Sequence, residues 1–217
     1  MLVLATRNRK KLAEVVDLLG RFGVSGEDVR DVSAFDGGGD LSQYGPVPEV
    51  VEDGETFAAN AALKATQTAR FLADRGLDCL VLGEDSGLCV DALKGAPGVF
   101  SARYAGVHGD DAANNAKLLS ELDGVPSEKR GAGYVSSVAV ANAAGEVILT
   151  AEDACRGRIV AAPRGTGGFG YDPLFEVREL HRTFGELPPV VKRALSHRGR
   201  ALRSLGPLLA NLLRKAE

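Results

Sequence analysis

The apolar run Cys79-Leu80-Val81-Leu82-Gly83 leads without a break into Glu84-Asp85-Ser86-Gly87, and no other stretch constrains the fold as much. The run reads as a short buried strand, and the acidic tetrapeptide is expected where that strand ends. Ligands of α/β sheets collect at strand ends. Fixed by a strand carrying Leu80 and Leu82, Asp85 can hold its oxygens still, as a hard cation such as Mg²⁺ requires. The same residues also read as an acidic turn, since Asp, Ser and Gly are ordinary turn formers. Alone the tetrapeptide favours the turn; its company elsewhere in the chain shifts the balance.

The 217 residues suit one domain, or two lobes sharing one cleft, and 45% hydrophobic content is ample for a core. Cys79, Cys89 and Cys155 form no CxxC pair, and each lies in a segment that reads as a strand. They are expected to be small buried hydrophobes, a pattern of reducing compartments. Met1 to Arg7 carries no basic leader and too short an apolar stretch for a signal peptide, and no apolar run reaches membrane-spanning length. The expectation is a soluble cytoplasmic protein without a membrane partner. A net charge of −3 argues against a broad nucleic-acid surface and leaves room for a small anion held by local cations.

Along the chain, element types alternate. Leu2 to Ala5 reads as a buried strand, and Leu12, Val15, Val16, Leu19 and Phe22 recur at helical spacing. A weak strand near Val29 to Val32 precedes Asp36 to Pro48, where glycines and prolines predict a mobile surface loop. A second helix is expected from near Thr56 to about Ala73, its alanines allowing close packing on a sheet. Leu88 to Val90 resumes extended structure, Gly95-Ala96-Pro97-Gly98 is a turn, and Asp110 caps a helix containing Ala113, Ala116, Leu119 and Leu122. Tyr134 to Ala141 and Val147 to Ala151 flank Asn142-Ala143-Ala144-Gly145 as a hairpin, so the sheet is expected to be mixed. A last helix with Leu202, Leu205, Leu208, Leu209 and Leu212 covers one sheet face.

Three further segments offer chemistry. Thr6-Arg7-Asn8-Arg9-Lys10-Lys11 joins the first strand to the first helix, so unpaired amides and several cations are expected to face an anion there. It is not a Walker A loop, and a solvated basic helix start reads it equally well. Gly165 to Pro173 sets four glycines around Phe169 and Tyr171. That arrangement suits a flat base sliding against Phe169, worth roughly 1–3 kcal/mol of stacking, or a long structural loop. Lys192 and Ser196-His197-Arg198 gather donors. Arg198 and His197 could serve a carbonyl oxygen on a base edge, and Lys192 a base or a phosphate. A surface His beside Arg is the plain alternative. Ser-His-Asp catalysis fits poorly, because Ser196 and His197 are neighbours and no GxSxG elbow exists.

Taken together, Thr6-x-Asn8-x-x-Lys11, Glu52 ahead of Thr56-Phe57-x-x-Asn60-Ala61, Asp85-Ser86-Gly87-Leu88 with Gly95-Ala96-Pro97-Gly98 and Ser101-Ala102-Arg103-Tyr104, Gly168-Phe169-Gly170-Tyr171-Asp172-Pro173 and Ser196-His197-Arg198 resemble the inosine triphosphate pyrophosphatase family, also described as dITP/XTP pyrophosphatases. The resemblance spans nearly the whole chain in order. It implies a single pyrophosphatase domain over residues 1–217. The implied fold is an elongated α/β structure whose mixed sheet is flanked by helices, with two lobes, a central cleft and a homodimeric assembly. It assigns Asp85 as proton acceptor and metal ligand and Glu52 as the second Mg²⁺ carboxylate. Thr6, Arg7, Asn8, Arg9, Lys10, Lys11 and Ser86 would hold the triphosphate. Phe169, Gly170, Tyr171, Asp172, Lys192, His197 and Arg198 would hold the nucleoside of a purine substrate. Two departures stand out: Glu84 where many members carry Asp, and the long loop 36–48.

The implied reaction is hydrolysis between the α and β phosphates to a monophosphate and pyrophosphate, with Lys11 neutralising the leaving group. Hypoxanthine and xanthine present O6 where adenine presents an amino group, so donors on His197 and Arg198 reject adenine. A Maf-like nucleotide pyrophosphatase is the nearest rival, disfavoured by Ser196-His197-Arg198 and the Phe169 loop. A binding-only nucleotide sensor is disfavoured by the carboxylates Glu52 and Asp85.

Overall fold

The computed structural model describes residues 1–215. Its strands are β1 (Leu2–Leu4), β2 (Val29–Asp31), β3 (Leu80–Val90), β4 (Gly131–Ala141), β5 (Val147–Ile159), β6 (Phe175–Val177) and β7 (Arg182–Thr183). The helices are α1 (Arg9–Gly20), α2 (Phe57–Ala73), α3 (Asp111–Glu121), α4 (Pro189–Leu195) and α5 (His197–Lys215). The strands form one seven-stranded sheet in the order β2-β1-β3-β4-β5-β6-β7. Pairing of β1 with β2 and β3 is parallel, whereas β6 pairs antiparallel with β5 and β7, so the sheet is mixed as the hairpin pattern predicted.

The chain divides into two compact units. Unit 1 takes Met1–Asp85, Ser136–Glu152 and the chain from Arg198 onward, and its sheet is buried on both faces. Side chains alternate across a strand, so Leu2, Leu4 and Leu82 face Val15, Leu18 and Leu19 of α1 and Leu202, Leu205 and Leu209 of α5. Val3 and Val81 face the opposite way, onto Ala61, Ala65, Ala69 and Leu72 of α2. The α2 alanines do what their size allows. A Cβ on Gly83 would lie 2.2 Å from the Ala61 carbonyl oxygen and 2.8 Å from the Ala65 nitrogen, so β3 and α2 touch backbone to backbone. That contact sets the distance between α2 and the residues that follow Gly83.

Unit 2 takes Ser86–Val135 and Asp153–His197. Its core gathers Leu88, Val90, Leu118, Leu122, Tyr134, Phe175 and Phe184. Tyr134 is the hub: its ring meets Phe175 edge-on at 4.9 Å and stacks on Phe184 at 5.9 Å and on His197 at 4.7 Å.

Several expectations are corrected. Glu84-Asp85-Ser86-Gly87 is not a strand end, because β3 continues to Val90. Leu88 and Val90 are buried, so extended structure is favoured straight through the polar tetrapeptide. Loop 36–48 lies at the surface as expected, with several anchoring contacts. Phe35 and Val47 are buried at its ends, Leu41 N–H donates to the Ala34 carbonyl, and Arg30 binds Asp40 at 2.8 Å. Cys89 is only half-buried, unlike Cys79 and Cys155. In α5, Leu208 faces outward at 56% exposure, off the stripe formed by Leu202, Leu205 and Leu209.

Candidate active site

Alternation along β3 separates the acidic doublet. Glu84 shares the side of Leu82, toward α1 and α5, while Asp85 shares that of Val81, toward α2. They therefore serve different partners.

On the α2 side, Lys64 and Asn60 lie one helical turn apart and both reach Asp85. Lys64 Nζ is 3.1 Å from Asp85 Oδ1 and 2.8 Å from Glu52 Oε2. Asn60 Nδ2 donates to Asp85 Oδ2 at 3.2 Å, and its own Oδ1 accepts from Gly54 N–H at 2.8 Å. One side chain thus fixes both Asp85 and the segment carrying Glu52. Asp85 and Lys64 are buried, and Glu52 is about one-third exposed at 32%. Burial pushes the Asp85 carboxyl above the ordinary carboxylate range, and Glu52 adds to that push against the pull of Lys64 and Lys11. Burial alone would lower the Lys64 ammonium, but Asp85, Glu52 and Glu84 outweigh it and hold the pKa above the usual lysine value.

On the other side, Glu84 binds three groups. Its Oε2 lies 2.9 Å from Lys11 Nζ, and its Oε1 accepts from Ser136 Oγ at 3.0 Å and from Arg198 Nη2 at 3.1 Å. Arg198 Nη1 binds Glu14 of α1. Arg198 is 1% exposed, and the two carboxylates keep it charged against the cost of burial. Both of its Nη atoms are engaged within unit 1, on Glu14 and Glu84.

The segment entering α1 uses its amides internally. Asn8 Oδ1 accepts from the Lys10 and Lys11 amides, and Thr6 Oγ1 accepts from the Asn8 amide. The expectation of unpaired amides is corrected for Asn8, Lys10 and Lys11, since Asn8 caps the helix and Thr6 takes the Asn8 amide. Arg7 lies 3.1 Å from Asp36 and also donates to the Val47 carbonyl, while Arg9 and Lys10 are exposed. Ser86 is half-buried in β3, next to Asp85.

In unit 2, Phe169, Asp172 and Lys192 come together. Asp172 Oδ2 accepts from the Phe169 amide at 2.8 Å and from Lys192 Nζ at 2.7 Å, and that ammonium stands 4.5 Å from the Phe169 ring centre. Gly168 has φ +77°, and a Cβ there would fall 1.9 Å from Asp172 Oδ2, so glycine is required. Tyr171 N–H donates to Tyr134 Oη and Tyr171 Oη donates to the Ser101 carbonyl. His197 packs flat on Tyr134, with 9° between the rings. His197 and Arg198, neighbours in sequence, belong to different units.

Sequence reasoning missed Lys64, Glu14, Ser136 and Tyr134 as members of these clusters. Lys64 had a signal: a lysine at i+4 from Asn60 on the helix face that carries Ala61, Ala65 and Ala69. The donor set suits a hard divalent cation. Two carboxylates already converge on one positive charge, the Lys64 ammonium, and all their donor atoms are oxygens. Among the described residues no group of three or more His, Cys, Asp or Glu side chains gathers to hold a metal. Two carboxylates alone leave most coordination positions of such a cation to other oxygen ligands.

The model of the Ham1 family matches residues 2–208. The chain is 52% identical to the dITP/XTP pyrophosphatase of Rhodopirellula baltica over 98% of its own length and 94% of that protein's. It is similar to the solved HAM1 protein of Coxiella burnetii, with a TM-score of 0.81, 37% identity, and coverage of 97% of this chain and 98% of that one. A Mycobacterium abscessus structure described as a nucleoside-triphosphatase / dITP/XTP pyrophosphatase matches with a TM-score of 0.71, 44% identity, and coverage of 96% and 98%. With a family model over almost its entire length and a relative at this identity, the chain belongs to the Ham1 family.

Proposed function

We infer that the chain hydrolyses non-standard purine nucleoside triphosphates, ITP, dITP and XTP, to the monophosphate and pyrophosphate. The observation that carries this reading is that Glu52 and the buried Asp85 meet at the Lys64 ammonium, while Lys11 is held by Glu84, the residue before Asp85 in β3. It is supported by the near full-length similarity to proteins named dITP/XTP pyrophosphatase. The whole chain, residues 1–217, acts as one such domain.

Water attacks the α phosphorus, the bond to the bridging oxygen breaks, and pyrophosphate leaves with the bonding electrons. Asp85, made more basic by burial, accepts the proton of the attacking water. Lys11 and Lys64 place positive charge against the phosphate chain, and Thr6, Arg7, Asn8, Arg9, Lys10 and Ser86 complete its seat. Glu52 and Asp85 would hold Mg²⁺, which when bound neutralises charge on the phosphate oxygens. In unit 2 the base stacks on Phe169, whose seat includes Gly170, Tyr171 and Asp172. Lys192 and His197 supply donors that suit O6 and repel an adenine amino group.

The substrate is a free nucleotide rather than nucleic acid, a reading supported by the net charge of −3. No helix among the described residues is long and apolar enough to cross a membrane. Three cysteines without a CxxC pair suit a reducing compartment, and we propose a cytoplasmic homodimer. Light scattering after size exclusion tests the assembly.

A pyrophosphate-release panel with Mg²⁺ tests the reaction. Cleavage of ITP, dITP or XTP is expected to far outpace that of ATP, with pyrophosphate as the first product. Orthophosphate as first product would sink the reading, and loss of turnover on chelation with return on adding Mg²⁺ is the expected behaviour of the carboxylate pair.

A further inference from the structure

The loop from Gly165 to Asp172 contains four glycines, so left alone it would populate many backbone conformations. In the structure three consecutive amides of this loop are each accepted by a different side chain. Phe169 N–H goes to Asp172, Gly170 N–H to Asp111 Oδ2 at 2.8 Å, and Tyr171 N–H to Tyr134 Oη at 3.1 Å. The Gly170 carbonyl is also taken, by Asn115 Nδ2 at 3.0 Å. Both polar groups of one glycine are therefore gripped by α3, from residues four apart on the same helix face.

The helix that does the gripping is itself well fixed. Asp110 caps it through the Ala113 amide, and Asn114 accepts from Ala105 N–H and donates to the Ala102 carbonyl. Leu118 and Leu122 are fully buried in the unit 2 core. Asp111 is exposed, and Gly170 holds φ +61°, a left-handed conformation that nothing in a glycine's own sterics selects.

We propose that Asp111 and Asn115 are positioning residues for purine recognition, setting the angle of the Phe169 ring by holding the peptide next to it. The proposal rests on the reading that the base stacks on Phe169. Neither residue need touch substrate. Their effect belongs to binding and base choice, not to the bond-breaking step, whose residues lie in unit 1.

The test is steady-state kinetics of Asp111→Ala, Asn115→Ala and Asp111→Asn on ITP and ATP, with melting temperatures. Each alanine variant is expected to raise KM for ITP about five- to tenfold, the scale of one net hydrogen bond, while kcat changes less than about twofold. The ITP over ATP preference falls by the same factor. Asp111→Asn restores most of it, since the amide oxygen still accepts. In a Phe169→Ala background, Asp111→Ala adds little, because the two act as a unit. An unchanged KM with a lowered melting temperature, or an equal loss with and without Phe169, overturns the proposal. Wild-type protein showing no ITP preference would instead remove the pocket reading beneath it.

Discussion

Asp85→Asn is expected to reduce pyrophosphate release from ITP by about two to four orders of magnitude, the range lost with a positioned general base, while the fold survives intact. The amide has the same shape and keeps the partner Asn60, but it carries no charge for a cation and takes no proton from water. Stability should change little, and the reason is visible in the direction of the titration shift. Burial holds the Asp85 carboxyl above its ordinary value, so its ionised form is a net cost to the folded state above the unfolded pKa. Removing the charge relieves that cost, and Lys64 keeps Glu52 as a partner 2.8 Å away. Activity and circular-dichroism melting curves of the same preparation check both halves. Glu84→Gln serves as the comparison: Glu84 faces Lys11 and Arg198, so it acts on the placement of cations, and its loss of turnover should be smaller. Equal losses at the two positions, or none at Asp85, would mean that the roles are misassigned.

How far the chain could be read in advance depended on the sequence distance over which a contact acts. The alternation of Leu2, Val3 and Leu4, the helical spacing in α1 and the alanine face of α2 are local patterns, and each forms the expected element. Caps are local as well: Asp110 was read as one and Thr56 as a helix start, whereas the Asn8 cap was missed. The course of β3 was misjudged because turn-forming residue types were weighed above the buried Leu88 and Val90 that follow. Period-two alternation through Glu84 and Asp85 contains the information that they face apart, but only once the strand is known to continue. The carboxylate partners of Arg198 were not legible in this way. They lie 184 and 114 residues away, and nothing beside Arg198 in sequence marks them. A donor in Ser196-His197-Arg198 looks the same on paper whether it faces a purine or a buried glutamate.

Arg198→Met therefore separates the two readings of that residue, and its expected result is loss of stability with parallel loss of activity on every nucleotide. Methionine fills the volume with an apolar chain but leaves Glu84 and Glu14 without their buried cation. Breaking a buried pair by removing one partner costs about 3–5 kcal/mol. For a chain of this size roughly 2–4 °C accompanies each kcal/mol, so the melting temperature should fall on the order of 10 °C. Glu84, relieved of Arg198 but still held by Ser136, no longer fixes Lys11 in one place, and Lys11 serves a phosphate chain common to ITP and ATP. Both values of kcat/KM should then fall together. Arg198→Lys retains the charge but cannot span Glu14 and Glu84 with a rigid planar fork, so it should lie between wild type and Arg198→Met in stability. A selective loss on ITP with an unchanged melting temperature would overturn this account and put the guanidinium at the purine O6. Holding its two carboxylates at 1% exposure, Arg198 would have to break buried ion pairs to reach that position.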